Sequence, residues 1–202
     1  YNSAMATRHD VLEFAVLGLL PDGPQHGYEL RKRLAVVLGP FRALSYGSLY
    51  PCLRRLQSRG LIEEESITPA LETTAPPLSG RRARVVYAIT GDGKDEFAEW
   101  ANQPGSEAWE DEGFAAHLAF FSRTESRARL RILEGRRSRM EERIDNLRES
   151  LARSRSRVDE YTLMLQQHGL EGAEHEVRWL NELIENEKKS PGRKSPITEE
   201  KS

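Results

Sequence analysis

Cysteine is nearly missing from this chain. Cys52 stands alone among 202 residues, so no internal disulfide can form and a reducing, cytoplasmic compartment is expected. Long apolar runs are missing too. Val11 to Leu20 is interrupted by Glu13 and stopped by Pro21, well short of the about 20 apolar residues that cross a bilayer. It has no basic stretch before it, so it does not read as a signal peptide; Tyr1 to Ala4 read as residues added ahead of a natural start at Met5. The histidines His9, His26, His117, His168 and His175 lack ligand spacing, which argues against a metal site. No nucleophile stands beside a base and no Gly-rich phosphate loop is present, so the chain is not expected to be an enzyme and no cofactor is implied. One further absence is local. Arg31, Lys32, Arg33, Arg42, Arg54, Arg55 and Arg59 occupy residues 31–59 without a single carboxylate, although the whole chain carries a net charge of −2. A polyanion responds to the field within a Debye length, about 8 Å at physiological salt, and not to the total charge.

The apolar spacing predicts three short helices, a β-ribbon and then a long helical arm. Thr7 caps a first helix to Leu20, with Val11, Leu12, Ala15, Val16 and Leu19 inward, and Pro21-Asp22-Gly23 ends it. Gln25 to Leu38 is a second helix, closed by Gly39-Pro40. Tyr46 to Arg59 is a third, with Leu49, Leu53 and Leu56 inward and Gly60 as its C′ residue. Pro51 fits only near the start of that helix, so Ser48 is its expected cap. The period then changes to alternation at Leu61 to Thr68 and Arg84 to Ile89. Thr90 caps a fourth helix, and Pro104 to Gly113 is an acidic connector.

Beyond the connector, Phe114 to Phe121 reads as a short helix, and Ser122-Arg123-Thr124-Glu125 has the form of a capping box. Leu130, Leu133, Met140, Ile144, Leu147, Leu151, Val158, Tyr161 and Leu165 follow steps of three and four, broken only at Arg137 and Ser154. Such a seam predicts one continuous coiled-coil helix, ended by Gly169 and Gly172, through which two chains dimerise. A last helix spans about Ala173 to Lys188, and residues 190–202 read as a disordered tail. The fold class is therefore mainly α with a two-stranded wing. A winged helix-turn-helix domain spans 5–103 and a long-helix dimerisation domain spans 114–189.

A helix of about 10–12 Å diameter fits the major groove of B-DNA, which is about 12 Å wide. The first turn of such a reading helix needs hydrogen-bonding side chains, as Tyr46, Ser48 and Tyr50 are. Its flanks need cations for phosphate, as Lys32, Arg54 and Arg55 are, with Arg31 and Arg33 nearby. A wing needs basic residues at its end, as Arg81, Arg82 and Arg84 are.

The run Leu44-Ser45-Tyr46-Gly47-Ser48-Leu49-Tyr50-Pro51-Cys52-Leu53-Arg54-Arg55-Leu56, followed by Gly60-Leu61-Ile62-Glu63, resembles the recognition-helix signature of the PadR family of bacterial regulators. His26-Gly27-Tyr28-Glu29-Leu30 resembles the start of that family's second helix. Arg84 to Gly93, containing Tyr87-Ala88-Ile89-Thr90, resembles its second wing strand and the helix after it. The resemblance covers most of residues 10–100; the remainder is similar only in layout to the longer-armed members. It implies a homodimer on an inverted-repeat operator in double-stranded DNA, in the usual case a repressor, released by a small-molecule effector. It points to Tyr28, Tyr46, Ser48, Tyr50 and the wing arginines as DNA contacts. Residues 69–82 depart from the pattern, being longer and richer in proline.

Plainer readings stand beside these. Tyr28 and Tyr50 also suit a core, Gly27 and Gly47 suit close packing, and Cys52 suits a small buried hydrophobe rather than a redox switch. Glu110-Asp111-Glu112 and the acids of the fourth helix read as solvated surface. Trp100, Trp109 and Trp179 read first as packing residues and second as an effector pocket. A protein-interaction module that has lost DNA binding is the competing reading, and the acid-free basic run argues against it.

Overall fold

The structure, a computed structural model, describes residues 3–39, 46–66, 85–154 and 159–189, with the side chains of 3–10, 46, 66 and 154 outside the description. By contact the chain divides into two units, Tyr1–Ala101 with Leu118–Phe120, and Asn102–His117 with Phe121–Ser202.

The first unit holds α1 (Ser3–Leu19), β1 (Gln25–His26), α2 (Gly27–Val37), α3 (Tyr46–Ser58), β2 (Ile62–Ser66), β3 (Val85–Ile89) and α4 (Gly91–Asn102). The helix starts differ from the sequence expectation. α1 begins at Ser3, so Thr7 lies inside it, and α3 begins at Tyr46, so Ser48 is an interior residue rather than its cap. Pro51 therefore sits one turn deeper than expected, where its ring removes a helical amide donor. Leu49, Cys52, Leu53 and Leu56 are buried along one face of α3, and that packing offsets the defect. Gly60 ends the helix as predicted. Its φ is 72°, its amide donates to Gln57 O at 2.9 Å, and Leu61 N donates to Leu56 O at 2.9 Å, the closing bonds of a left-handed helix end.

The two wing strands, β2 and β3, belong to a three-stranded sheet. Gln25 and His26, expected in the second helix, form a short strand that pairs antiparallel with β3, giving the order β1-β3-β2. Both side chains hold it there: Gln25 Nε2 donates to Leu19 O at 3.0 Å, and His26 Nδ1 lies 3.1 Å from Val85 O. On the other edge, Ile62 to Ser66 pair with Ile89 to Val85. Thr90 does cap α4, accepting from Gly93 N at 3.1 Å and donating to Gly60 O at 2.7 Å. The core joins Leu12, Leu17, Leu30, Leu34, Leu53 and Ile62, all at most 2% exposed. A cluster of Phe14, Phe97 and Phe120 closes it, with ring centroids 5.1–5.6 Å apart.

The second unit is built on α6 (Ser126–Ser154) and α7 (Glu160–Lys189), with α5 (Asp111–Ala119) and a 3-10 turn at Ser106–Trp109 before them. The connector is thus partly ordered structure, and Ala108, Gly113 and Phe114 are buried. The capping box does not open the long helix. Ser122 lies in a 3-10 turn, α6 starts at Ser126, and Arg129 instead caps the preceding carbonyls of Phe121 (2.9 Å) and Thr124 (3.0 Å).

The single long helix of the sequence reading is two helices folded back on each other. Contacts across the pair run antiparallel. Arg129 meets Glu187 at 2.6 Å, Arg136 meets Glu176 at 2.7 Å, Arg137 meets Asn181 at 3.3 Å, and Arg148 meets Glu174 at 2.8 Å. Asp159 caps α7, accepting from Thr162 N at 3.0 Å and from its hydroxyl at 2.6 Å. Those bonds hold the Asp159 carboxyl below its ordinary pKa. Val158 of the predicted seam lies outside the described residues.

α7 also passes through Gly169 and Gly172 instead of ending there. A glycine inside a helix costs about 1 kcal/mol against alanine, and burial of Ala173, Leu180 and Ile184 outweighs it. A Cβ at Gly172 would meet nothing within 4 Å. Gly172→Ala is therefore expected to stabilise the protein by about 0.5–1 kcal/mol, read as a higher urea midpoint.

Candidate nucleic-acid interface

α2 and α3 each present an aromatic residue and, one turn later, a cation. On α2 these are Tyr28, 62% exposed, and the exposed Lys32; on α3 they are Tyr50, 40% exposed, and the exposed Arg54. Residues four apart lie on one helix face, so each pair forms a column. The two tyrosines meet at a groove of about 540 Å³ lined by His26, Gly27, Tyr28, Glu29, Tyr50 and Tyr87, among others. Gly27 permits the approach: a Cβ there would stand 3.2 Å from the Tyr50 hydroxyl. Tyr87 forms the groove's inner wall from β3. Burial first, then Glu64 across the strand pair and the Tyr50 ring, raise its phenol pKa, while Arg54 pulls the other way. The phenol therefore stays protonated and able to donate.

The structure sorts the acid-free run of cations into two sets. Arg33 is bound to Asp22. Arg55 is engaged inside the domain rather than offered outward: its Nε donates to Glu13 Oε1 at 2.8 Å, and Glu13 is 5% exposed. Arg59 takes the other oxygen at 3.2 Å and also reaches Glu96. Arg55, expected to serve phosphate, is thus held by a buried carboxylate, with its side chain 38% exposed. Lys32 and Arg54 are exposed, and no described carboxylate pairs with either. Ser48 is separated from the columns as well. It is half-buried, about 160° around α3 from Tyr50 at about 100° per residue. The Tyr46 side chain, Arg42, and the wing arginines Arg81, Arg82 and Arg84 lie outside the described residues.

Two groups at this site escaped the sequence reading. Glu13 was visible only as a charge breaking an apolar run. Tyr87 followed the alternation of a half-buried strand, and nothing in that pattern tells a groove wall from a core residue.

The expected dimerisation residues also divide. Leu133, Met140 and Ile144 are 2%, 3% and 6% exposed within the single chain, so the hairpin itself covers that stretch of the seam. Leu130, Leu147 and Leu151 are half-buried. Tyr161, Met164 and Leu165 are 82%, 56% and 70% exposed and share one stripe of α7 near the turn end of the hairpin. The tryptophans pack: Arg59 lies over Trp100 at 5.6 Å, Trp179 meets Phe114 edge-on at 6.2 Å, and Trp109 lies against Gly135.

His117 of α5 is 6% exposed, and burial pushes its pKa down to about 4 against the opposing charge of Glu107. The unfolded chain holds its proton with a pKa near 6.5. The neutral ring's contribution is therefore complete above that value and is lost as pH falls from 6.5 towards about 4. The whole effect is at most about 3 kcal/mol. His117→Gln should remove most of the extra acid sensitivity in melting curves over that range.

Three short helices, a strand between the first two, and two longer strands closing the sheet make a winged helix-turn-helix. Residues 16–99 match the Transcriptional regulator PadR-like family. The negative transcriptional regulator PadR of Bacillus subtilis (strain 168) is 30% identical over 105 residues, 50% of this chain and 52% of that one. The match thus spans about half the length of that relative. Among solved structures, Bacillus subtilis PadR in complex with operator DNA is 22% identical, with 88% of this chain and 99% of that chain covered and a TM-score of 0.39. A PadR-like transcriptional regulator from Bacillus cereus is 21% identical, with coverages of 88% and 98% and a TM-score of 0.37. At those scores the winged-helix assignment rests on the strand order and helices described above. No helix among the described residues is long and apolar enough to cross a membrane.

Proposed function

We propose that this protein is a sequence-specific, DNA-binding transcriptional regulator that acts as a homodimer and represses by occupying an inverted-repeat operator. The observation that carries the reading is that Tyr28 and Tyr50 meet at one groove of the winged-helix unit, each with an exposed cation, Lys32 or Arg54, one turn along its helix. Phenols supply hydrogen bonds to phosphates and base edges, and the exposed cations supply charge for phosphate. The family relationship of residues 16–99 supports the same reading. Release by a small-molecule effector belongs to it as well, on the family resemblance.

Dimerisation is assigned to the hairpin, with the exposed Tyr161, Met164 and Leu165 at its centre and the half-buried Leu147 and Leu151 as further members. Three large apolar side chains in one exposed stripe are worth about 1.5–3 kcal/mol each when covered. A two-fold dimer then demands half-sites about 34–36 Å apart or a multiple of that.

The test is affinity for the gene's own upstream DNA against random duplex at moderate salt. A preference of about 10³-fold or more is expected, with affinity falling steeply as salt rises. Equal retention of both duplexes would end the reading.

A further inference from the structure

Glu13 sits in the apolar face of α1, and its two carboxylate oxygens are taken by one arginine of α3 and one just past its end. Arg55 Nε donates to one at 2.8 Å and Arg59 Nη1 to the other at 3.2 Å. Arg59 carries the chain further, reaching Glu96 of α4 and lying over the Trp100 ring. Burying a carboxylate is unfavourable, and well-packed apolar residues in place of such a network are often neutral or better for stability. What the ion pairs supply and a leucine cannot is direction.

Arg55 and Arg59 are one turn apart on a single flank of α3. On the opposite flank, the Tyr50 hydroxyl is seated against Gly27 at the start of α2. The outward residues, including Arg54, lie between these two grips. A helix held on both flanks cannot turn about its own axis, and a recognition constellation tolerates only about 10–20° of misorientation.

We propose that Glu13 is a positioning residue for the reading helix: through Arg55 and Arg59 it sets the rotation of α3, and it withholds the Arg55 guanidinium from phosphate. The inference rests on the DNA-binding reading above. Two effects of Glu13→Gln follow from it. Released from its strong acceptor, Arg55 becomes available to any phosphate, while Glu96 still holds Arg59, so affinity for random DNA rises and its salt dependence steepens by up to about 0.9. Meanwhile Tyr50 and Arg54 lose their alignment, so operator affinity falls. The operator-to-random ratio is expected to drop by at least about tenfold, as expected when a single base-edge hydrogen-bonding pair is removed.

The experiment measures binding of full-length protein to its own upstream DNA and to random duplex by fluorescence anisotropy, across a salt series, with melting curves on the same samples. A merely structural role would lower the melting midpoint and leave the ratio of the folded protein unchanged. That result overturns the proposal. Arg55→Lys serves if Glu13→Gln does not fold. Lysine keeps the charge but cannot reproduce the guanidinium geometry, so the ratio should still fall by about threefold or more. A wild-type ratio in Arg55→Lys also overturns the proposal. Should the wild-type protein itself show no operator preference, the regulator reading fails and takes this one with it, an outcome distinct from either variant result.

Discussion

Lys32→Glu combined with Arg54→Glu is expected to weaken operator binding by at least about 10²-fold while the protein stays folded. Hydrogen bonds to charged groups contribute about 1.5–3 kcal/mol each, so losing two removes about 3–6 kcal/mol before any repulsion is counted. The salt dependence should shrink with the affinity, by about 0.9 in log–log slope for each phosphate that is no longer neutralised. Both residues are exposed, so the melting midpoint should stay within about 2–4 °C of wild type. Arg55→Glu is expected to lower stability as well. It sets a second carboxylate beside Glu13, which is 5% exposed, and leaves Arg59 as the only described cation holding that group. Breaking a buried pair costs about 3–5 kcal/mol. Arg55 is itself 38% exposed, and solvent screening reduces this to about 1–3 kcal/mol. Thermal melting and anisotropy on the two variants separate a surface cation from a structural one. An Arg55→Glu protein as stable as wild type, or a double reversal with undiminished binding, would refute the division of cations drawn from the structure.

The hairpin carries the second large effect. Leu180 is fully buried at 0% exposure, whereas Leu165 is 70% exposed. Leu180→Asp buries a charge where none can pair and removes a core side chain, a loss of about 4–5 kcal/mol or more. The α6–α7 pair should melt, with a visible loss of helical circular dichroism and of dimer together. Leu165→Asp should leave the helix signal unchanged and yield folded monomers by sedimentation at low micromolar concentration. If Leu165→Asp remains a dimer, the exposed stripe of α7 is not the interface. If Leu180→Asp retains its full helix signal, the hairpin packing described above is wrong.

Much of the first unit was legible in the chain because its signals are local. Gly60 marks a helix end, since a positive φ suits glycine and few other residues. Thr90 caps the helix that follows it. Leu49, Leu53 and Leu56 recur at helical spacing and are buried. The three elements around the groove could be placed from such cues, and so could the aromatic-then-cation order along α2 and α3. The β1 strand could not. Gln25 and His26 join the sheet through bonds to Leu19 and to Val85, 59 residues further along, and no local pattern announces a partner at that distance. The partition of the cations has the same cause. Lys32 and Arg33 are neighbours in sequence and equal in charge; only the position of Asp22 distinguishes them.

The arm shows most clearly what sequence alone settles. Periodicity in residues 130–165 determined that a helical surface must be covered, because a row of leucines, methionine and isoleucine cannot remain in water. It did not determine what covers it. Steps of three and four continue in phase from Ile144 and Leu147 to Tyr161 and Leu165, so one long helix and two folded helices give the same pattern. Tertiary structure decided between them, because α7 brings Leu180, Ile184 and a set of acids to α6 at close range within the same molecule. Burial by one's own chain carries no cost of bringing two molecules together, and it took Leu133, Met140 and Ile144 first. Only the apolar residues it left uncovered remain available to a second copy.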